Sequence, residues 1–232
     1  MTTIAIHQPE YLPYLGFFDR IIKTDIFVIL DDVGYQKNGF INRNKIKTAD
    51  GWQWLTVPVS NRSPNKKINE VLIDNQKKWK DDQWKTLCYN YSKALFFKTY
   101  ADFFEDIFKK EWVSISELDI YLIENIAKIL GLEKRIEKSS IYDIKGTATE
   151  RLVNICKKFS ADTYLSGIGG REYLELEKFK NENINVVFQE FKHPDYSQQF
   201  IKKGFLSNLS IIDLLFNCGP KSLNIILGGN KL

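Results

Sequence analysis

The sequence predicts an α/β fold: a mainly parallel sheet flanked by helices, with a small antiparallel excursion and a central helical block. Three observations carry this. Short apolar runs bounded by turn residues recur at 3–6, 26–30, 164–165 and 184–188, and near-continuous apolar runs of this kind mark strands buried on both faces. Between the first two runs, Phe17, Phe18, Ile21 and Ile22 fall at helical spacing, giving a βαβ unit at the start of the chain. From 76 to 130, Trp79, Trp84, Leu87, Tyr91, Phe96, Phe97, Phe103, Phe104, Ile107 and Phe108 recur at intervals that place them on helical faces. Strands alternating with helices in this order predict a Rossmann-like sheet.

The remaining elements follow from local signals. WQWLTVPV and INEVLID are strand-like and enclose the polar SNRSPNKK, which predicts an antiparallel excursion or edge pair between 50 and 74. Gly131 ends a helix that Ser114 or Ser116 caps. Thr147 followed by Glu150 reads as a capping box for a helix reaching Lys158. A last helix is expected over 210–217, stopped by Cys218, Gly219 and Pro220. The final GGNKL has the composition of a frayed end.

A chain of 232 residues with 44% hydrophobic and 27% charged residues can bury a substantial core. The expected organisation is a single α/β domain over 1–232 with a helical insertion at about 76–131. The net charge of +4 suits anionic small molecules and is too weak to argue for nucleic acid. Cys88, Cys156 and Cys218 are far apart, without disulfide or metal spacing, which fits a reducing compartment. The chain enters a strand pattern at once, without a leader pattern, and has no apolar run near the roughly 20 residues of a membrane span. A cytoplasmic protein without membrane insertion is expected.

Four polar constellations punctuate these elements. In HQPEYLPYLGFF, His7 and Gln8 follow the first strand, Pro9 and Pro13 stiffen the loop, and a helix start offers free N–H groups to an anion. In DDVGYQKNGFINRNKIKTADG, the pair Asp31 and Asp32 closes the second strand. Gln36, Lys37, Asn42, Arg43, Asn44 and Lys45 then supply the cations and amides that phosphates and hydroxyls require. In YLSGIGGREYL, Ser166, Gly167, Gly169, Gly170 and Tyr173 lie between a strand and an expected helix, where backbone N–H groups can meet a phosphate or acyl oxygen. In FKHPDYSQQF, His193, Asp195 and Tyr196 lie past another strand end. Ligands of parallel sheets bind at the carboxyl ends of strands, so His7 with Gln8 and Asp31 with Asp32 are expected to line one crevice.

HQPEYLPYLGFF, LDDVGYQKNGFINRNKIK, WLTVPV, YLSGIGGREYL, HPDYSQQF and SIIDLLFNCG, in this order from Ile4 to about Gly219, resemble the WbqC-like family. That family is associated with bacterial O-antigen and other surface-polysaccharide (lipopolysaccharide) gene clusters. The resemblance implies work on activated, often amino-bearing, sugars in the cytoplasm, and no residue's role is carried over from it. At the level of fold alone, the opening strand and histidine loop are similar to nucleotidylyltransferase-like folds, including pantothenate synthetase. Those enzymes bind triphosphate with paired histidines. Here only His7 is present, and Gly16–Phe17 stands where the second histidine would be.

The expected function is an N-acyl or aminoacyl transferase that forms an amide on a nucleotide-linked, dTDP-type amino sugar. In this reading His7 is the base, with His193 as alternate, and Asp32 orients the base or the amine. Lys37, Arg43 and Lys45 hold the diphosphate, Tyr11 stacks on the nucleobase, and the 166–170 loop holds the acyl carbonyl or a second phosphate. The co-substrate is an acyl or aminoacyl donor, with an aminoacyl-tRNA left open, as is a homodimer. Two alternatives are an ATP- and magnesium-dependent nucleotidyltransferase or adenylate-forming ligase, with Asp31 and Asp32 on the metal, and a non-enzymatic sugar-nucleotide-binding protein.

Overall fold

The computed structural model describes residues 1–60 and 66–228. Five parallel strands form the main sheet: β1 (Thr3–His7), β2 (Ile26–Ile29), β5 (Arg135–Lys138), β6 (Thr163–Ser166) and β7 (Asn185–Phe188). Their order is β5-β2-β1-β6-β7, which leaves β1 at the centre. Alternation along the strands splits the core into two faces. Ala5, Phe27 and Ile29 pack with Phe17 and Phe18 of α1 (Leu15–Ile22) and with the central helices. Ile4, Ile6, Ile26 and Val28 pack on the other face with Leu152, Val153 and Cys156 of α5 (Ala148–Lys158) and with Phe179 of α6 (Leu176–Asn181). Period-two side-chain geometry therefore puts apolar residues on both sides, the condition under which a parallel sheet is stable.

The central block is three helices, α2 (Trp79–Tyr91), α3 (Phe97–Lys109) and α4 (Ile115–Ile129). Ser114 caps α4 by accepting from the Glu117 N–H, and Gly131 follows with φ +74°. Phe97 and Phe104 pack against Phe216 of α7 (Ile211–Cys218) with ring centroids 5.0 and 5.3 Å apart. Among the described residues no helix is long and apolar enough to cross a membrane.

Several elements differ from the sequence reading. The antiparallel pair exists, but β4 (Gly51–Thr56) pairs with β3 (Arg43–Thr48), not with INEVLID. The latter makes only a 3-10 turn at Ile68–Glu70 and two isolated bridges. The polar stretch that reads as a binding loop is thus half of a hairpin. Strand β5, RIEK, escapes an apolar-run criterion because it is an edge strand with charged side chains. Thr147 is the N-cap of α5, yet its side chain makes no capping bond. The helix after Ser210 is not the last, since α8 (Ser222–Ile226) follows. The GIGG loop enters a 3-10 turn, Ile168–Glu172, before α6. The polar link at 61–65 and the end from 229 lie outside the described residues.

Candidate functional site

Three strand ends converge on one cleft. His7 is the last residue of β1, Gly167 follows β6, and Gln189 follows β7. The cavity between them measures about 840 Å³, and His7, Glu10, Arg20, Gly167, Gly169 and Gln189 are among the residues that line it. It sits at the carboxyl edge of the parallel strands, as such sheets dictate.

Local chemistry holds this edge in shape. Gly16 opens α1 where a Cβ would come within 2.5 Å of the Tyr14 ring. Gln189 Nε2 donates to the Gly16 carbonyl at 2.8 Å and to Asp19 Oδ2 at 2.7 Å, tying β7 to α1. Arg20 of α1 is 4% exposed, and its Nε has no hydrogen-bond partner. No carboxylate lies within ion-pair distance of it among the described residues. A Cβ on Gly167 would sit 3.2 Å from Arg20 Nη1, so the glycine lets the loop backbone lie on the guanidinium.

The two titratable groups beside Arg20 are shifted in opposite directions. Burial, with Arg20 adding to it, lowers the His7 pKa to about 3. The imidazole is therefore neutral near pH 7. Its Nδ1 lies 2.8 Å from the Gln8 carbonyl, which can only accept, so Nδ1 carries the proton and Nε2 is an acceptor. Burial pushes Glu10 up to about 7 against the lowering effect of Arg20. The Glu10 side chain is only 12% exposed, lies 3.8 Å from His7 Nδ1, and its Oε2 has no hydrogen-bond partner among the described residues. Behind it, Asp119 of α4 is fully buried with both oxygens unpartnered. Burial, and then the charge of Glu10, hold Asp119 well above the carboxylate range. The cleft thus couples a near-neutral carboxyl to a buried cation, an arrangement typical of acid–base sites.

The structure distributes the sequence-chosen residues unevenly. His7, Gly167 and Gly169 line the cleft. Gln8 and Gln36 line a smaller adjoining recess of about 210 Å³ that shares His7 and Glu10. Lys37 is exposed. Tyr11 cannot stack on a base: it is 1% exposed and its hydroxyl donates to Gln83 Oε1 at 2.7 Å. Asn42 and Asn44 are buried and donate to the carbonyls of Val57 and Leu12, both at 2.8 Å. Ser166 is buried with its hydroxyl on the Gly167 carbonyl, and Gly170 is glycine because a Cβ would meet Ser166 Oγ at 2.2 Å. Tyr173 and Asp195 are exposed.

Asp31 and Asp32 leave the crevice expected for them. Asp31 is 3% exposed and accepts from the Ser140 N–H at 3.0 Å and the Ser140 hydroxyl at 2.7 Å. Asp32 accepts from Ser139 Oγ at 2.6 Å and pairs with Arg151. Asp32 borders a separate polar cavity of about 580 Å³. His193 is also apart from the cleft wall. It packs among Phe191, Tyr196 and Phe205, its Nδ1 lies 2.9 Å from the Pro194 carbonyl, and burial lowers its pKa. Tyr196 donates to Asp213 Oδ1 at 2.9 Å, in a buried group that also holds Tyr91.

Sequence reasoning missed Glu10, Arg20 and Gln189. Glu10 stood inside the quoted HQPEYLP run. Arg20 carried a usable signal, a charge inside the otherwise apolar LGFFDRII helix. Gln189 carried none. Two further cations, Arg171 and Lys192, border the cleft, with Phe40 at its rim.

The model of the WbqC-like protein family matches residues 8–225. The chain is 38% identical over 225 residues to a Mycobacterium tuberculosis protein described as uncharacterized protein Rv1507c, covering 96% of each chain. No solved structure matches it.

Proposed function

Since the chain belongs to the WbqC-like protein family, we propose that its β1–β6–β7 cleft is the active site of a transferase of surface-polysaccharide biosynthesis. It acylates or aminoacylates the amine of a nucleotide-linked, dTDP-type amino sugar. The observation that carries this is Glu10, whose carboxyl burial raises to about 7 in a cleft that also holds Arg20. A base titrating near cellular pH is matched to an ammonium group that must lose a proton before it attacks.

The steps follow from these groups. Glu10 takes a proton from the sugar ammonium. The neutral nitrogen attacks the carbonyl carbon of the activated acyl donor, the C–N bond forms, and the oxygen gains negative charge. Arg20, beneath the Gly167 loop, stabilises that charge. The oxyanion re-forms the carbonyl, the donor's leaving group departs with the bonding electrons, and the second amine proton passes to that leaving group to give the neutral amide. His7 holds the amine through its acceptor Nε2; with a pKa near 3 it is too weak a base to take the proton itself. The base role therefore passes from His7 to Glu10. Arg171 and Lys192 add positive charge for an anionic substrate.

The ATP-dependent alternative is weaker on one observation. The carboxylates that would hold magnesium, Asp31 and Asp32, are engaged by Ser139, Ser140 and Arg151. They do not fit that role.

The test is acylation of a panel of dTDP- and UDP-linked amino sugars, read by mass spectrometry, beside thermal shift with each sugar. Glu10→Gln should lower turnover by about 10²- to 10⁴-fold with sugar affinity within threefold. Wild-type turnover in E10Q would sink the base assignment. Binding without turnover by any donor would leave the non-enzymatic binding reading. Stabilisation by ATP with magnesium but by no sugar would revive the adenylate reading.

A further inference from the structure

The outer face of the β3–β4 hairpin carries cations without carboxylates beside partly exposed aromatic rings. Register pairs Lys45 with Trp54 and Lys47 with Trp52, and paired residues share a face. Trp52 is 48% exposed and Phe40 46%. Their rings run in a row with Trp54, whose centroid is 6.0 Å from Phe40 and 5.7 Å from Trp52. Arg43 lies over Trp54 at 4.4 Å, and Lys45 lies 4.4 Å from Trp52 and 5.1 Å from Trp54.

Ordinary roles leave this face unexplained. The opposite face, with Asn44, Ile46 and Leu55, is buried and anchors the hairpin, so the tryptophans are not needed for its core. Neither Arg43 nor Lys45 has a carboxylate within ion-pair distance among the described residues, and Arg43 Nε is buried without a hydrogen-bond partner. Lys47, next along the strand, is by contrast consumed internally by Gln198 and the Gly204 carbonyl. Phe40 belongs to the ring row and also to the cleft wall, which makes the two surfaces continuous.

We propose that this face is the docking surface for the nucleoside diphosphate half of the substrate. The base stacks on the exposed Trp52 ring, whose plane stands 83° from that of Trp54, the diphosphate lies on Arg43 and Lys45, and the sugar passes Phe40 towards Glu10. Planar rings accept a base through dispersion and π contacts, and guanidinium and ammonium groups complement the diphosphate charge. The assignment rests on the sugar-nucleotide reading of the cleft, and it adds the surface that selects the nucleotide.

The full-length protein is titrated with dTDP and with UDP, both lacking sugar, by calorimetry and by tryptophan fluorescence at low and high salt. Trp54→Ala and the double variant Arg43→Gln/Lys45→Gln should each weaken nucleoside diphosphate binding by roughly tenfold. Glu10→Gln should leave it within twofold. Trp52→Phe should abolish most of the fluorescence quenching without comparable loss of affinity, and higher salt should weaken binding. Trp52 is exposed and Arg43, Lys45 and Trp54 are partly buried, and a cooperative thermal transition confirms folding in each variant.

Diphosphate affinity within twofold of wild type in both Trp54→Ala and the double variant overturns the surface assignment. The cleft reading still stands in that case if a nucleotide amino sugar binds and is acylated. Diphosphate binding that depends on the hairpin, with no amino sugar acylated, keeps the surface and removes the cleft reading. Displacement of the nucleotide by a short single-stranded RNA at lower concentration overturns the choice of ligand. Absence of any nucleotide binding to wild type overturns both.

Discussion

Two polar clusters sit at the carboxyl edge of the same sheet, and they do opposite things. The Asp31–Asp32 cluster has its carboxylates met by Ser139, Ser140 and Arg151. The His7–Glu10–Arg20 cluster leaves a carboxylate oxygen, Glu10 Oε2, buried and unpartnered among the described residues, while each cluster holds an arginine Nε without a partner, Arg20 and Arg151. Satisfied buried groups hold a fold together, whereas unsatisfied ones cost stability. Only the second cluster has a carboxyl with capacity left for a ligand. Residue type and strand-end position do not distinguish the two; whether the carboxylates are met does.

The largest expected effect on stability breaks the first cluster. Asp32 and Arg151 have side chains 12% and 16% exposed. Asp32→Ala leaves the arginine buried without its partner and should cost about 3–5 kcal/mol in urea unfolding. Nucleotide-sugar affinity, measured well below the melting temperature, should stay unchanged. A large loss of affinity with little loss of stability would make Asp32 a site residue after all.

A smaller effect sharpens the second cluster. Glu10 is raised from 4.5 to about 7, so the folded state binds its proton more tightly than the unfolded one. Its contribution to stability is full below pH 4.5 and is lost as pH rises through 7. His7 is lowered from 6.5 to about 3, so its contribution is full above pH 6.5 and is lost as pH falls towards 3. Relative to wild type, Glu10→Gln should gain stability as pH climbs from 4.5 to 7, by on the order of 3 kcal/mol. His7→Gln should lose relative stability as pH climbs from 3 to 6.5, by on the order of 5 kcal/mol for the full shift and about 3 kcal/mol with its side chain 28% exposed to solvent screening. Denaturant titrations at several pH values check both. Parallel curves for the two variants would mean that neither group is buried as described.

The smallest effect concerns the loop that lies on Arg20. Gly170→Ala drives a methyl into Ser166 Oγ, 2.2 Å away, and should cost about 1–3 kcal/mol. At Gly169 nothing lies within 4 Å of an added Cβ. Gly169→Ala should be neutral or stabilise by up to about 1 kcal/mol. Calorimetric melting of the two variants gives the difference directly, and equal melting temperatures would show that the loop rearranges freely.

Much of the fold was legible because its signals are local. Apolar runs, the helical spacing of Phe17 to Ile22, the Ser114 cap and Gly131 all act within a few residues. The hairpin was misassigned because 43–48 pairs by register with 51–56, and its charged and amide side chains mask the alternation that buries Asn44 and Ile46. Edge strand β5 gave no apolar run because only one neighbour, β2, covers it. Within the site, His7, Gly167 and Gly169 were visible as strand-end residues. Asp32, Tyr11 and Asn44 looked equally suitable, and each is hydrogen-bonded to a partner elsewhere in the chain.

By itself, then, the amino-acid order determined the α/β class, the strand-end placement of the polar runs and the kinship carried by their order. Tertiary structure alone decided which of those polar groups are spent on the fold and which stay available. The reason is distance along the chain. Arg151 reaches Asp32 across 119 positions, Gln198 meets Lys47 across 151, and Gln189 reaches Gly16 across 173. Burial and hydrogen-bond satisfaction depend on such contacts, and these set the proton affinities of His7 and Glu10.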